Sequence, residues 1–499
     1  MSETSLSTLL HGLAPVTPAE ERTIIGLASD SRLARPGDLF LALRGLHHHG
    51  LEFLPELHRA GVAAVAWEPP YDGALPAADG LPLIPVAELS RRLGVIAERF
   101  HGFPSRDMTL IGVTGTDGKT SCSQFIAQAL GLLGMPCGVL GTIGYGLPGH
   151  LMPASHTTPD ALTLWERLAA LREQGVRRLA MEVSSHALEQ GRVMGLRFEV
   201  AVLTNLTRDH LDYHGSLEAY AAAKRKLFTD YDIRCAVLNL DDAFGRRLAA
   251  ELVDSVAVIG YGLGRAPADW HGPWLGCREL HALAGGLELA IDTSHWGEAR
   301  VSSPLLGRFN GANLLAVLGV LLALQVPFGD AVTALERLST VPGRMERFGG
   351  GRGRPLAVVD YAHTPNALEQ VLAALREHIH DGRLWCVFGC GGDRDPGKRP
   401  QMGAVAERLA DRVIVTNDNP RSEAPEAIAE QILAGMRAPE RARIILDRGA
   451  AIQYALRKAA PGDIVLIAGK GHEDYQLIGG RRLDFSDRIV VRQWLGTAA

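Results

Sequence analysis

The stretch GVTGTDGKTS at residues 112–121 combines two glycines, a lysine and a threonine at a spacing suited to phosphate chemistry. Gly115 and Gly118 let the backbone turn tightly, so the N–H groups around Thr116 and Asp117 can face phosphate oxygens. Lys119 can neutralise β- and γ-phosphates, Thr120 can ligate Mg²⁺, and the N-terminus of the following helix, with Ser121 beside it, adds its partial positive charge. The expectation is a nucleoside triphosphate site. Val113 stands where the standard G-x-x-x-x-G-K-T loop carries glycine, so a glycine-rich turn with an incidental lysine stays open on this segment alone.

Three more residues could serve the same chemistry. Glu182 in MEVSSHAL and His210 in TNLTRDHLDYHG follow apolar runs, and the strand ends of an open α/β sheet are where ligands bind. A carboxylate with an imidazole suits a second divalent ion, although a strand-end glutamate can equally be a helix cap. In SLEAYAAAKRKLF, helical spacing puts Leu217, Tyr220, Lys224, Leu227 and Phe228 on one face and turns Arg225 and Lys226 away. Lys224 is then expected to face inward, where desolvation disfavours the ammonium and a neutral amine can take up carbon dioxide as a carbamate. A lysine stem lying over apolar surface is the plainer alternative.

The elements that must position these residues are short apolar runs ending in Gly, Thr, Asn or Asp, each followed by a helical pattern. They are MTLIGV (108–113), RRLAMEV (177–183), FEVAVLT (198–204) and CAVLNL (235–240), then LAVVD (356–360), LWCVFG (384–389), DRVIVT (411–416), ARIILD (442–447) and DIVLIAG (463–469). Two α/β sheets are expected, separated by a helix-rich stretch and the linker STVPGRMERFGGGRGRPL. The first hundred residues differ in texture and predict a smaller α/β domain ending near Phe103. Predicted domains are therefore residues 1–103, 104–341 and 342–499.

Composition excludes other classes. With 499 residues, 46% hydrophobic, 21% charged and a net charge of −5, the chain is too long for one core and carries no basic footprint for nucleic acid. The N-terminus lacks a secretory pattern, and the run Leu314 to Leu324 is too short to cross a bilayer, so a cytoplasmic protein without membrane insertion is expected. Six scattered cysteines give no disulfide or zinc spacing, and Cys386 and Cys390 are expected to be small buried thiols. The HHH at residues 47–49 is expected in a loop rather than around a metal.

Taken together, GVTGTDGKT, MEVSSHAL, TNLTRDHLDYHG, AAAKRKLF, GRFNGANLLA, VPGRMER, VDYAHTPNAL, FGCGGDRDPGKRP, DNPRSE and GKGHEDYQ resemble, in order and over the whole chain, the Mur ligase family of peptidoglycan synthesis. The resemblance implies an α/β fold of three domains: a small N-terminal UDP-binding domain, a central P-loop ATPase-like domain with a parallel sheet, and a C-terminal Rossmann-like domain. It implies ATP as co-substrate with Mg²⁺, and a shortened phosphate loop that explains Val113. Lys224 matches a carbamylated lysine, and Glu182 and His210 match Mg²⁺ ligands. Asn310 would contact adenine, Arg344 and Asp360 would hold the ribose, and His363 would lie near that nucleotide.

The implied reaction is peptide-bond formation through an acyl phosphate, carried out by a monomer. The implied acceptor is UDP-MurNAc-L-Ala-D-Glu. Ser29, Ser31, Leu46, His47 and His48 would bind its uridine end. His156, Thr157, Thr158, Ser184, Gln190 and Arg192 would bind its muramoyl-dipeptide end. The amino acid added would be meso-diaminopimelate rather than lysine. Arg394, together with Asp418, Asn419, Pro420 and Arg421 of DNPR, offers two guanidiniums for an extra carboxylate. Glu473 and the Gly469 carbonyl could hold the distal ammonium, whereas ordinary salt bridges are the plainer role for these arginines. A sister ligase, folylpolyglutamate synthetase and a nucleotide-binding regulator are the competing readings. The latter two fit less well with the first domain, DNPR and the intact set Lys119, Glu182, His210, Lys224 and Asp360.

Overall fold

The computed structural model describes residues 3–45, 48–78, 80–154, 156–351 and 353–496. The chain divides into two compact units, Met1–Gly260 and Tyr261–Ala499.

The first unit opens with a four-stranded parallel sheet in the order Gly26–Ala28, Asp38–Ala42, Ala64–Trp67 and Leu83–Pro85. Side chains alternate between its faces, Leu39, Leu41, Ala64 and Ala66 in one apolar cluster and Phe40, Ala42 and Val65 in the other.

A second sheet follows in the order His150–Met152, Gly144–Leu147, Gly138–Gly141, Arg178–Glu182, Thr109–Thr114, Arg197–Leu203 and Asp232–Asn239. The last five are parallel, and the first two continue the edge as antiparallel hairpins. The four expected runs in this part are all strands, buried on both faces, which is why they read as nearly continuous apolar stretches.

In the second unit, the stretch expected to be helix-rich begins instead with three antiparallel strands, Trp274–Leu283, Gly286–Thr293 and Glu298–Ser303. Two helices follow, Arg308–Ala323 and Phe328–Glu336, the first of which buries the long apolar run as expected.

A six-stranded sheet then runs Glu346–Gly349, Leu356–Asp360, Ile464–Ala468, Leu384–Phe388, Arg412–Val415 and Arg443–Ile444, parallel except for its first strand. ARIILD therefore contributes a strand of only two residues. Val358, Cys386 and Leu466 pack on one face and Val359, Val387 and Ile467 on the other. Each such aliphatic side chain contributes about 2 kcal/mol when fully buried. Because Leu356–Asp360, Ile464–Ala468, Leu384–Phe388 and Arg412–Val415 run parallel, the loops at 361–364, 389–394, 416–421 and 469–474 all leave the carboxyl end of the sheet, as ligand-binding loops of open α/β sheets do.

Among the described residues no helix is long and apolar enough to cross a membrane. Cys386 and Cys390 are buried as expected; burial pushes the Cys390 thiol up to about 12.

Candidate active site

In the first unit, strand Thr109–Thr114 leads directly into helix Lys119–Leu132, and the turn between them depends on its glycines. Gly115 has φ +148°. A Cβ there would lie 1.8 Å from Thr204 Oγ1, so no side chain fits. Thr204 Oγ1 donates to the Asp117 carbonyl at 2.6 Å, and Asn205 Oδ1 accepts from the Asp117 N–H at 2.9 Å. Thr116 N–H donates to the Asn205 carbonyl at 2.9 Å. The phosphate loop is thus fastened from the end of the neighbouring strand, Arg197–Leu203. Lys119 Nζ curls back onto the carbonyls of Gly115 and Thr116, both at 2.8 Å.

Thr120 Oγ1 donates to Glu182 Oε2 at 2.9 Å. Glu182 is 1% exposed and also accepts from Thr142, at Oε1 from its N–H at 2.7 Å and at Oε2 from its hydroxyl at 3.1 Å. Gly141 makes room for this carboxylate, since a Cβ would stand 2.1 Å from Glu182 Oε1. An alcohol and a carboxylate side by side are hard oxygen donors of the kind Mg²⁺ takes with phosphate oxygens and water. The residues fit that ion, although among the described residues no group of three or more His, Cys, Asp and Glu side chains gathers for a metal.

Lys224 lies on helix Leu217–Thr229, which Ser216 caps by accepting from the Ala219 N–H at 3.1 Å. Tyr220, Ala223, Lys224, Leu227 and Phe228 form its buried face, but Leu217, expected on that face, is 40% exposed. It is the first residue of the helix, directly after the cap Ser216, and precedes the buried turns. Lys224 itself is 1% exposed. Its Nζ donates to the Gly115 carbonyl at 2.7 Å and stands 4.4 Å from the centre of the Tyr220 ring. Burial first, and the nearby Lys119 charge second, hold its amine well below the usual lysine range. Arg225 and Lys226 face away, paired with Glu251 and Glu189.

His210 has φ +51° at the start of a short helix, and its ring lies 6.0 Å from that of Tyr220 and 5.0 Å from that of His186. His210 and Lys224 therefore flank one tyrosine.

The residues expected around the muramoyl-dipeptide form one hydrogen-bonded chain ending at Glu182. Gln190 accepts from Arg192 Nε at 2.8 Å, Arg192 Nη1 donates to the Thr158 carbonyl at 2.8 Å, and Thr158 Oγ1 donates to the Glu182 carbonyl at 2.8 Å. Ser184 N–H donates to Thr158 Oγ1 at 3.1 Å, and Thr157 shares a hydrogen bond with Thr142 at 3.0 Å. His156 is exposed on the same loop. The uridine-end residues stand on loops of the first sheet. Ser29 and Ser31 flank Asp30, which pairs with Arg32 at 2.6 Å, and exposed His48 pairs with Glu52 at 2.8 Å. Leu46 and His47 lie outside the described residues. His49 turns inward to Glu68, so neighbouring histidines point apart.

In the second unit, Asn310 is buried in the first turn of helix Arg308–Ala323, donating to Leu306 and accepting from Asn313. Asp360 Oδ2 accepts from the Met345 N–H and Oδ1 from the Ala362 N–H, both at 2.8 Å. Burial pushes its carboxyl up, opposed chiefly by Arg344. The Arg344 guanidinium lies 4.7 Å over the Tyr361 ring with its buried Nε unpartnered. His363 is exposed, its ring bonded to the Tyr361 carbonyl at 2.8 Å.

The loops of the six-stranded sheet bring the other expected residues together. Arg421 has φ +55°, which sends its Nη1 to the Gly392 carbonyl at 2.7 Å. Arg394 is exposed on that neighbouring loop. Asn419 Nδ2 donates to Glu473 Oε2 at 3.0 Å. Asp418 is buried against Gly469, where a Cβ would meet its Oδ2 at 2.5 Å, and Pro420 links it to Arg421. Two buried arginines fasten these loops. Arg399 holds Glu423 and the Gly391 carbonyl, and Arg448 holds Asp487 and the carbonyls of Asn417 and Ala468.

Thr142, Thr204, Asn205 and Tyr361 also hold the site, although little in the sequence marks them. The TN dipeptide closing an apolar run was the one available signal, because such side chains hydrogen-bond nearby backbone.

Comparison with known proteins gives the same picture along the whole chain. The Mur ligase family catalytic domain matches residues 23–101, the Mur ligase middle domain residues 113–321, and the Mur ligase glutamate ligase domain residues 343–471. The UDP-N-acetylmuramoyl-L-alanyl-D-glutamate–2,6-diaminopimelate ligase of Pseudomonas aeruginosa is 54% identical over 94% of this chain and 95% of its own. The enzyme of that description from Alkalilimnicola ehrlichii is 52% identical over 98% of both chains. A solved structure of such a ligase matches 99% of both chains at a TM-score of 0.73 and 36% identity. With relatives this similar over nearly its full length, the chain belongs to the Mur ligase family.

Proposed function

We propose that the protein is an ATP-dependent ligase that adds meso-diaminopimelate to the D-glutamyl carboxylate of UDP-MurNAc-L-Ala-D-Glu. The relatives' reaction supports this, and the observation that carries it in this chain is the contact of Thr120 with buried Glu182 beside the phosphate loop. A carboxylate is a poor acyl donor at neutral pH. Its oxygen therefore attacks the γ-phosphorus of ATP, releasing ADP and leaving an acyl phosphate. The amino group of diaminopimelate then attacks the acyl carbon, loses a proton, and phosphate departs.

The chain's own residues position the reactants and neutralise charge. The loop N–H groups hold the phosphates, and the Lys119 ammonium moves from its carbonyl contacts onto them. Thr120 and Glu182 would hold Mg²⁺, which when bound neutralises phosphate charge. Lys224, a buried amine of depressed basicity, would carry a carbamate and with His210 hold a second ion. Thr158, Ser184, Gln190 and Arg192 orient the dipeptide, and Ser29, Ser31 and His48 the uridine. Asn310, Arg344, Asp360 and His363 receive adenosine. Arg394, Arg421 and Asn419 receive the carboxylates of diaminopimelate, and Glu473 its distal ammonium. The division at 103/104 and 341/342 assigns these tasks to three domains.

An acceptor labelled with oxygen-18 in its D-glutamyl carboxylate tests the route. One label should appear in the released phosphate; unlabelled phosphate would exclude an acyl phosphate.

A further inference from the structure

Lys470 is a lysine between two glycines, yet it is fully buried. Hairpin Tyr475–Ile478/Arg481–Asp484 begins just beyond it, and the Tyr475 ring centre lies 5.4 Å from its ammonium. Nζ donates to Glu473 Oε2 at 2.8 Å and to Asn419 Oδ1 at 3.1 Å. Asn419 closes the ring by donating from Nδ2 to the same Glu473 oxygen at 3.0 Å.

This ring decides which way the Asn419 amide faces. Its Oδ1 accepts from the Lys470 ammonium and from the Leu477 N–H at 3.0 Å, so both lone pairs are taken. Reversing the amide would set NH₂ against an ammonium and a main-chain N–H, and oxygen against a carboxylate. The amide orientation is therefore fixed by chemistry. One Nδ2 hydrogen goes to Glu473, and the second is the polar valence left for a ligand.

We propose that Lys470 is the positioning residue that sets the polarity of the amino-acid site, turning Asn419 to the substrate as a donor and Glu473 as an acceptor. This rests on the reading of that site given above. A substrate group meeting Asn419 must then be a hydrogen-bond acceptor, which a carboxylate oxygen is, while a carboxamide can turn its NH₂ towards it only at a loss. The two neighbouring signs, donors from Asn419 and Arg421 and an acceptor from Glu473, match an amino acid's carboxylate and ammonium. Lys470 supplies that separation without touching the substrate.

The test is kcat and KM for meso-diaminopimelate and each of its monoamides, in wild type, Lys470→Met and Asn419→Asp. Wild type should prefer the dicarboxylate over at least one monoamide by about a hundredfold. In Lys470→Met the amide loses one of its three orienting partners and Glu473 loses its ammonium, so that preference should shrink to about tenfold or less and KM for diaminopimelate should rise about tenfold, with KM for ATP held within about twofold. A folded Lys470→Met with the wild-type preference and KM overturns the proposal. Should that variant fail to fold, Asn419→Asp keeps the Lys470 contact but removes the donor; it should raise KM for diaminopimelate, and an unchanged KM overturns the proposal equally. If wild type turns over a different amino acid, the substrate reading fails, and the same ratios for that amino acid and its amide decide the role of Lys470.

Discussion

The side chains of Lys119 and Lys224 donate to one acceptor, the carbonyl of Gly115, at 2.8 and 2.7 Å. Two ammonium groups sharing a carbonyl repel each other, and the more buried one yields its proton more easily. An amine of lowered basicity is what the proposed carbamate on Lys224 requires. Lys224→Ala should be nearly inactive and be partly restored by short carboxylates that occupy the carbamate's place. Mass spectrometry of the wild-type peptide should show the mass of one added CO₂. Full activity of the variant without any added acid would contradict the role.

Lys119→Ala should reduce phosphate release about a hundredfold or more, as loss of a charge placed against a developing anion does. Steady-state turnover close to wild type would remove the loop lysine from the chemistry.

Gly141→Ala probes Glu182 without touching it. The new methyl would stand 2.1 Å from Oε1 and 2.8 Å from Cγ, so the side chain must leave Thr120 and Thr142. Because a side chain rather than backbone gives way, stability should fall by only about 1–2 kcal/mol. Metal-dependent ATP binding, followed by calorimetry, should weaken by at least tenfold; unchanged binding would mean that Glu182 does not serve the nucleotide.

Arg421→Ala should raise KM for diaminopimelate on the order of a hundredfold, since a carboxylate loses its guanidinium partner. KM for ATP should stay near wild type. A variant that retains affinity for diaminopimelate would show that this arginine only braces the Gly392 loop.

Much of this was legible in the sequence, and the exceptions have physical causes. Parallel strands such as Ile464–Ala468 are apolar throughout because both faces are covered, so they announce themselves. Strands Trp274–Leu283, Gly286–Thr293 and Glu298–Ser303 carry exposed polar residues such as Arg278, Glu279 and Glu288, which break up any apolar run that would announce them. Helical spacing made the inward face of Lys224 visible, but not its meeting with Gly115, 109 residues earlier. Thr142 follows the short strand Gly138–Gly141, which shows no alternation to read. The burial of Lys470 depends on a hairpin formed after it.

A pH experiment reaches the loop beside Lys470. Burial, reinforced by Arg344, lowers the pKa of His472 from 6.5 to about 4. The folded chain thus keeps this imidazole neutral while the unfolded chain protonates it, so its contribution to stability is lost as pH falls from 6.5 to about 4. Guanidinium unfolding across that window should show a smaller loss in His472→Asn than in wild type. Identical pH dependence would contradict the assignment.

The most direct measurement is phosphate release from ATP and Mg²⁺ with UDP-MurNAc-L-Ala-D-Glu, comparing meso-diaminopimelate, L-lysine and no amino acid. Release is expected with diaminopimelate alone, together with a product heavier by that one residue. Equal release with lysine, or none with diaminopimelate, would contradict it.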